Sequence, residues 1–374
     1  MKICLYSPYV PQHLGGGEKY FFDVAKTLVE LGHDVSVAAV GEVDEQITEK
    51  IKTKYEAFLG FSLDGVHFIS APFTNHAADA EPPSFWQKLM WTKRWDVLYY
   101  VTDGSFFFSL AKKNIVHIQI PFTAPKNGLL ERIKLFNWSV KTSNSEFTKK
   151  IVEKAWQTKI QFVHQPMIEP PLQLTESNLP QILAEKKKMI LHVGRFFSHL
   201  HTKKQDVLVE IFRQMLEKYP VETKGWELVL IGSVDDQKYY AAVQEAARGL
   251  PIRLLQPNHH ELWQYYQAAS IYWHATGFGS DEMAEPAKME HFGISTVEAM
   301  SMGCVPVVIG QGGQVEVVGE KLKDLLWKSS AECITKTISL IKDSKLRAQK
   351  AVLAVEQSHV FGKAQFQKTL VKMI

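Results

Sequence analysis

Short apolar runs rich in Val and Ile, each too brief for a helix and separated by longer helical patterns, constrain this chain more than any other feature. KICLYS (2–7), DVSVAAV (34–40), VHFIS (66–70), DVLYYV (96–101), NIVHIQI (114–120) and KIQFVH (159–164) form a first series. Strands without polar alternation are buried on both faces, which requires a parallel sheet covered by helices on each side. Between 165 and 185 the pattern lapses, with Pro166, Pro170, Pro171 and Pro180 in a stretch of no clear periodicity. It restarts with MILHVG (189–194), WELVLIG (226–232), PIRLLQ (251–256), SIYWHA (270–275) and VPVVIG (305–310). The expected fold class is therefore α/β, two doubly wound, Rossmann-like parallel-sheet domains facing one another across a cleft. The boundaries read as a first domain over 1–165, a linker over 166–187, a second domain over 188–357, and a C-terminal helix over 358–374 packing back on the first domain. A length of 374 residues suits two domains of about 150 each.

Charge is uneven along the chain. Residues 1–85 hold 6 Lys/Arg against 12 Asp/Glu, residues 86–159 hold 13 against 5, and residues 160–374 hold 24 against 23. The formal net charge of +3 thus hides a basic segment, which opens with Phe85, Trp86, Trp91 and Trp95 among Lys88, Lys93 and Arg94. Two readings stand for residues 84–95: a helix burying its tryptophans with lysines outside, or an aromatic and basic face meeting a membrane interface with anionic lipid. No run approaches the roughly 20 apolar residues of a bilayer span. The opening MKICLYSPYV passes straight into Pro and polar residues without a signal-peptide core, so a cytoplasmic location is expected, with peripheral membrane contact as its extension. Cys4, Cys304 and Cys333 are odd in number and far apart, which supplies neither a disulfide framework nor a zinc site. The near-neutral balance and the lack of a recognised module speak against nucleic acid.

Three motifs carry chemistry. Gly15-Gly16-Gly17-Glu18 follows the first strand and opens an apolar-periodic helix, where glycines permit positive φ and close approach of backbone amides to an anion. Tyr20 stands where a dinucleotide fingerprint would need its third glycine, so a flexible turn is the alternative. Gly194-Arg195 ends the first strand of the second domain, and Lys203-Lys204 precede a helix eight residues on. A planar guanidinium fork and an ammonium point charge placed so can converge on one anion, although solvated surface charge is the ordinary fate of such residues. In Glu290-His291-Phe292-Gly293-Ile294-Ser295-Thr296-Val297-Glu298, two glutamates bracket a glycine that opens a helix ended by Gly303. Amides of Gly293 to Thr296 would be the unpaired donors of that helix N-terminus, with Glu298 one turn further in.

Together these motifs resemble the family 4 retaining glycosyltransferases of GT-B fold. The similarity extends over nearly the whole chain. Asn144-Ser145-Glu146-Phe147-Thr148 resembles the element closing the family's first domain, and Tyr272-Trp273-His274-Ala275 with Gly277-Phe278-Gly279 resembles the segment before the Glu-x7-Glu loop. The wording EHFGI is similar to that of mannosyltransferases building lipid-linked oligosaccharides. The resemblance implies transfer of a hexosyl group from a nucleotide-diphosphate sugar, GDP-mannose or a UDP-hexose, to a saccharide or lipid-linked acceptor. It implies Arg195 and Lys203 on the diphosphate, Glu290 on the transferred sugar, and Glu298 on the ribose. Gly16, Gly17, Gly194, Phe292, Gly293, Ile294 and Ser295 would complete the nucleotide-sugar site, and Glu18, His117, Gln119 and His274 would meet acceptor or substrate. No cofactor or metal is expected, and no Asp-x-Asp occurs in the chain.

One departure stands out: where related enzymes often carry His-x-Pro, this chain has Gln119-Ile120-Pro121. A neutral amide can bond a hydroxyl but cannot act as a general base. His117, inside an apolar run, reads either as a core imidazole or as a substrate contact, and Lys204 stands where the family often has Gly. Asp235-Asp236 and Lys186-Lys187-Lys188 read as solvated turn and linker charges. Rival functions are a sugar-nucleotide epimerase of the same fold and a catalytically weak GT-B binding subunit. A G-x-S-x-G hydrolase and a P-loop kinase are disfavoured by absence of their motifs.

Overall fold

The computed structural model describes residues 1–73, 84–123, 129–199 and 202–374. The chain divides into two compact units, Met1–Met167 with Ala364–Ile374, and Ile168–Lys363.

In the first unit β1 (Lys2–Tyr6), α1 (Gly16–Glu30), β2 (Asp34–Ala39), α2 (Glu45–Leu59), β3 (Val66–Ser70) and α3 (Phe85–Thr92) alternate as the apolar runs demand. They lead into β4 (Val97–Val101), β5 (Lys113–Ile118), α4 (Leu129–Asn137), β6 (Val140–Ser143), α5 (Glu146–Trp156) and β7 (Phe162–Val163). All pairings are parallel, in the order β3-β2-β1-β4-β5-β6-β7. Alternate strand residues feed two cores. Leu5, Val37 and Tyr99 pack with Phe21 and Tyr55 of α1 and α2, whereas Leu98, Tyr100 and Val116 pack with Leu135 and Trp156 of α4 and α5.

Three features escape the sequence pattern. β6 reads VKTS, with no apolar run, because its polar atoms are paired inside: Lys141 Nζ donates to Trp138 O at 2.8 Å and Ser143 Oγ to Ser145 O at 3.0 Å. β4 and β5 are joined by residues 102–112 without a helix. Of the three clustered tryptophans, Trp91 and Trp95 pack inward with ring centroids 5.7 Å apart, while Trp86 faces solvent. The core-packing reading therefore holds for Trp91 and Trp95 and not for Trp86.

The second unit contains α6 (Leu179–Ala184), β8 (Lys187–Val193), α7 (Gln205–Lys218), β9 (Glu227–Ile231), α8 (Gln237–Ala246), β10 (Ile252–Leu255), α9 (His259–Ala268) and β11 (Ala269–His274). It continues through α10 (Ile294–Ser301), β12 (Val305–Ile309), α11 (Gln314–Val318), β13 (Leu326–Trp327), α12 (Ser330–Lys342) and α13 (Ser344–Ser358). Its parallel sheet runs β10-β9-β8-β11-β12-β13. The stretch that reads as a linker is folded into this unit from Ile168 onward: Leu174, Leu179 and Ile182 form a small core with Val355 of α13. α14 (Lys363–Met373) follows and buries Phe366, Leu370 and Met373 in the first unit's core, where His164 Nε2 donates to Phe366 O at 3.1 Å.

Lys186 is not a solvated charge. Its ammonium donates to Met302 O at 2.6 Å and Tyr266 O at 3.1 Å, satisfying a carbonyl at the end of α10, and burial lowers its pKa. Asp236 caps α8 by accepting from the amides of Lys238 and Tyr239.

Candidate active site

Ligands of doubly wound sheets bind beyond the carboxyl ends of strands where the winding direction switches, which in the second unit is between β8 and β11. Those two ends carry the chemistry. β8 delivers Gly194 and Arg195, and the neighbouring β11 ends at His274. The stem of Lys203 crosses directly over Gly194. A Cβ on Gly194 would lie 2.7 Å from Lys203 Cγ, so the glycine is needed there for room.

Lys203 Nζ donates to Glu290 Oε2 at 2.6 Å, and His274 Nε2 lies 2.9 Å from the same oxygen. Burial alone would raise the Glu290 pKa, but the Lys203 ammonium and the His274 N–H overcome it and hold the carboxyl well below the usual carboxylate range. His274 is fully buried, and desolvation lowers its pKa against the pull of Glu290. The amide of Thr276 donates to His274 Nδ1 at 3.4 Å, which leaves the ring proton on Nε2, facing the carboxylate. His274 thus acts on Glu290 in this structure.

Beneath them lies His192 of β8, a residue the sequence reading missed because it sits inside an apolar run. His192 Nδ1 donates to Trp273 O at 2.9 Å, and its buried Nε2 has no hydrogen-bond partner among the described residues. Burial pushes its pKa down to about 3.

The third motif folds as its spacing predicts. Gly293 has φ of 118°, a conformation that L side chains rarely adopt, and caps α10. Thr296 N already donates to Gly293 O at 3.0 Å, so the amides at the open end are those up to Ser295 and not Thr296. Gly313 N donates to Glu290 O at 2.7 Å, bracing the loop before the helix from behind. Next to Gly293 lies Gln314, whose side-chain amide is buried with both polar atoms unpartnered among the described residues; it too was missed, having no motif around it. Glu298 Oε2 accepts from Tyr266 OH at 2.8 Å and Ser295 Oγ from Tyr272 OH at 2.8 Å, so two buried tyrosines orient this face of α10. Phe292 and Ile294 flank the capping glycine, Phe292 buried and Ile294 half-buried. Arg195 is more open, paired with Asp235 at 3.0 Å; Asp235 is therefore a site neighbour and not a free turn charge.

Lys204 has φ of 56° and ψ of 40° at the start of α7, a left-handed conformation. The backbone at this position is the one that glycine adopts most readily.

In the first unit the candidate residues cluster around the ends of β1 and β5. Gly16 and Gly17 begin α1, and none of the three glycines adopts positive φ. What Gly17 supplies is space, since a Cβ there would stand 2.6 Å from Gln119 Oε1. Gln119 Nε2 donates to Gly17 O at 3.4 Å, and Glu18 lies in the first turn of α1 beside them. His117 belongs elsewhere. It is fully buried, stacked on Tyr20 at 4.1 Å and bonded to Tyr20 OH and Thr142 Oγ1, and burial holds its pKa well below the usual value. The structure corrects His117 from a substrate contact to a core imidazole.

Residues 176–352 match the family model described as Glycosyl transferases group 1. No curated protein matches the chain in sequence. Solved structures of the same fold include Anabaena HepE in complex with UDP and glucose, with 17% identity, a TM-score of 0.69, and cover of 100% of this chain and 98% of that one. A glycosyltransferase from Rickettsia africae has 15% identity and a TM-score of 0.68, with cover of 100% and 97%. Sucrose-phosphate synthase from Thermosynechococcus elongatus has 15% identity and a TM-score of 0.66, with cover of 100% and 98%. The chain shares with them the GT-B fold class, two Rossmann-like parallel-sheet domains.

Proposed function

We propose that this chain, a glycosyltransferase whose residues 176–352 form a glycosyl transferases group 1 domain, moves a hexosyl group from a nucleotide-diphosphate sugar to a saccharide or lipid-linked acceptor with retention of configuration. The observation that carries this reading is the pairing of Lys203 with Glu290 beside the open N-terminus of α10. An ammonium, a carboxylate and a row of amides in one place can hold a phosphate on one side and sugar hydroxyls on the other.

In this reading Arg195 and Lys203 neutralise the diphosphate and the charge that grows on it as the bond to the sugar breaks. Stabilising developing charge with preorganised cations is commonly the largest catalytic contribution. The amides from Phe292 to Ser295 receive phosphate oxygens, Glu298 binds the ribose, and Glu290 binds hydroxyls of the transferred sugar. The C1–O bond to phosphate breaks as the acceptor oxygen bonds C1 on the same face. The acceptor's proton goes to the departing phosphate oxygen, giving a nucleoside diphosphate and the glycoside. Glu290 is then a positioning carboxylate, unlike the nucleophile of a retaining hydrolase pair. Side-chain cations supply the charge, so transfer is metal-independent. In the first unit, Gly16 and Gly17 offer amides, while Glu18 and Gln119 offer hydrogen bonds to hydroxyl groups.

A UDP-hexose is supported by the HepE complexes with UDP and with UDP-glucose, and GDP-mannose by the EHFGI wording. A lipid-linked acceptor is supported by the exposed aromatic and basic side of residues 84–95, which we read as a peripheral membrane contact of a cytoplasmic enzyme. The test is a thermal-shift panel of UDP, GDP and ADP with their sugars, followed by hydrolysis of the sugar nucleotide that binds. One diphosphate should raise the midpoint by mass action. If none does, and Arg195→Ala and Lys203→Ala leave hydrolysis unchanged, the proposal fails.

A further inference from the structure

Among the described residues, α4 turns most of its large apolar side chains away from the sheet it packs on. Leu135 faces the core, but Leu129, Ile133 and Phe136, spaced as one helical stripe, face solvent together with Leu130. Phe136 is 86% and Leu129 78% exposed. α3 and the turn after it repeat the arrangement, with Trp91 and Trp95 inward and Phe85, Trp86 and Met90 outward, Trp86 being 70% exposed.

These are two parts of one surface. Both helices cover the same side of the sheet, their inward residues joining a single core. Residues 108–110 bridge them. Leu110 N donates to Thr92 Oγ1 at 2.8 Å, Ser109 N to Asn137 Oδ1 at 2.7 Å, and the Phe108 ring meets that of Phe85 at 6.2 Å. Leu110 itself is exposed. Apolar surface of this extent on one face marks an interaction site.

Charge says what the occupant is. α3 carries no acidic residue, and the one acid of α4, Glu131, is held by Lys134 at 2.6 Å. Lys88, Lys93, Arg94 and Arg132 have no ion pair among the described residues. A second copy of this chain docking by the same face would bring these cations against their own kind. An anionic bilayer meets both requirements, taking apolar side chains below the headgroups and offering charge to Lys and Arg at their level. We infer that α3 and α4 together form a docking surface for an anionic lipid bilayer, with both helices lying in the plane of the interface. This deepens the membrane contact proposed for residues 84–95, adds α4 to it, and does not depend on the donor chemistry.

Vesicle flotation tests it with the full chain. The protein should float with phosphatidylcholine vesicles containing phosphatidylglycerol, far less with phosphatidylcholine alone, and less as salt rises. The double variant Ile133→Ser/Phe136→Ser and the single variant Trp86→Ala should each weaken binding about tenfold or more. Neither change touches the core, and an unaltered melting midpoint checks the fold. Sugar-nucleotide hydrolysis without vesicles should be retained in both. Failure of the wild type to float overturns the inference. So does full binding by the α4 variant with loss only in Trp86→Ala, which would confine the contact to α3. A dimer in sedimentation that the α4 variant dissolves, without vesicle binding, would reassign the face to self-association. Absence of hydrolysis in a protein that floats as described would sink the transferase reading alone.

Discussion

Lys203 Nζ lies 2.6 Å from Glu290 Oε2, joining residues 87 positions apart in the chain. The ammonium that is assigned to the diphosphate is thereby also the counter-charge of the carboxylate assigned to the sugar. Lys203→Met should lower kcat for sugar-nucleotide hydrolysis about a hundredfold or more. Glu290→Gln should also lower it, and the double variant should lose little beyond the worse single variant, because groups acting as a unit are non-additive. Steady-state kinetics on the three proteins decide it; simple addition of the two losses would show that they act separately.

His274 shares that oxygen and is fully buried, and in the proposed reading it positions Glu290. Once an anion draws Lys203 away, His274 remains to hold the carboxylate. His274→Phe keeps the ring but removes the N–H, and should cut kcat about tenfold while leaving nucleoside diphosphate affinity unchanged. His274→Gln, which can still donate, should recover most of the loss. Equal defects in both, with weakened diphosphate binding, would assign His274 to packing alone.

Lys204 holds a left-handed backbone at φ 56° without being glycine. Relief of that strain, offset in part by glycine's greater freedom in the unfolded chain, should make Lys204→Gly more stable by about 0.5 kcal/mol. The melting midpoint should rise by about 1–2 °C. Hydrolysis should be retained, since the side chain reaching Glu290 is that of Lys203. A hydrolysis loss in Lys204→Gly matching that of Lys203→Met would transfer the diphosphate role to Lys204.

Burial pushes several imidazoles down, among them His164 and His291 to about 4 and His192 to about 3, with His117 and His274 lowered too. The folded state therefore prefers them neutral, while the unfolded chain protonates them near 6.5. Below that pH the unfolded state binds more protons, so stability falls as pH drops from about 6.5 toward 4. Glu290, held below the usual range, adds loss in the same direction at the acid end of that window. Melting midpoints across this range should slope upward with pH, and His164→Gln should flatten the slope. A midpoint that stays level from pH 4 to 7 would contradict the prediction.

The α/β class and the double restart were legible because period and run length are local properties of the backbone. The turn at Gly293 was legible for a similar reason, since a glycine between a loop and a helical pattern signals a cap. β6 was not, because Lys141, Thr142 and Ser143 look like loop residues until their partners are in place. Lys186 was misread as solvated because the carbonyls of Tyr266 and Met302 supply what water otherwise would, and the cap that Asp236 gives α8 was not legible. The three tryptophans of 86–95 could not be divided by spacing alone, since that requires knowing which side of α3 meets the sheet.

The sequence by itself determined two parallel sheets, their helices, and the residue types that an anion-binding helix end requires. Only the tertiary structure decided which of them meet. It placed Lys203 and His274 on one oxygen of Glu290, sent His117 into the core, and left the apolar stripe of α4 facing outward. Local pattern reflects steric and hydrogen-bond preferences within a few residues, whereas these contacts depend on strand order, which brings β8 beside β11 across some eighty positions of chain.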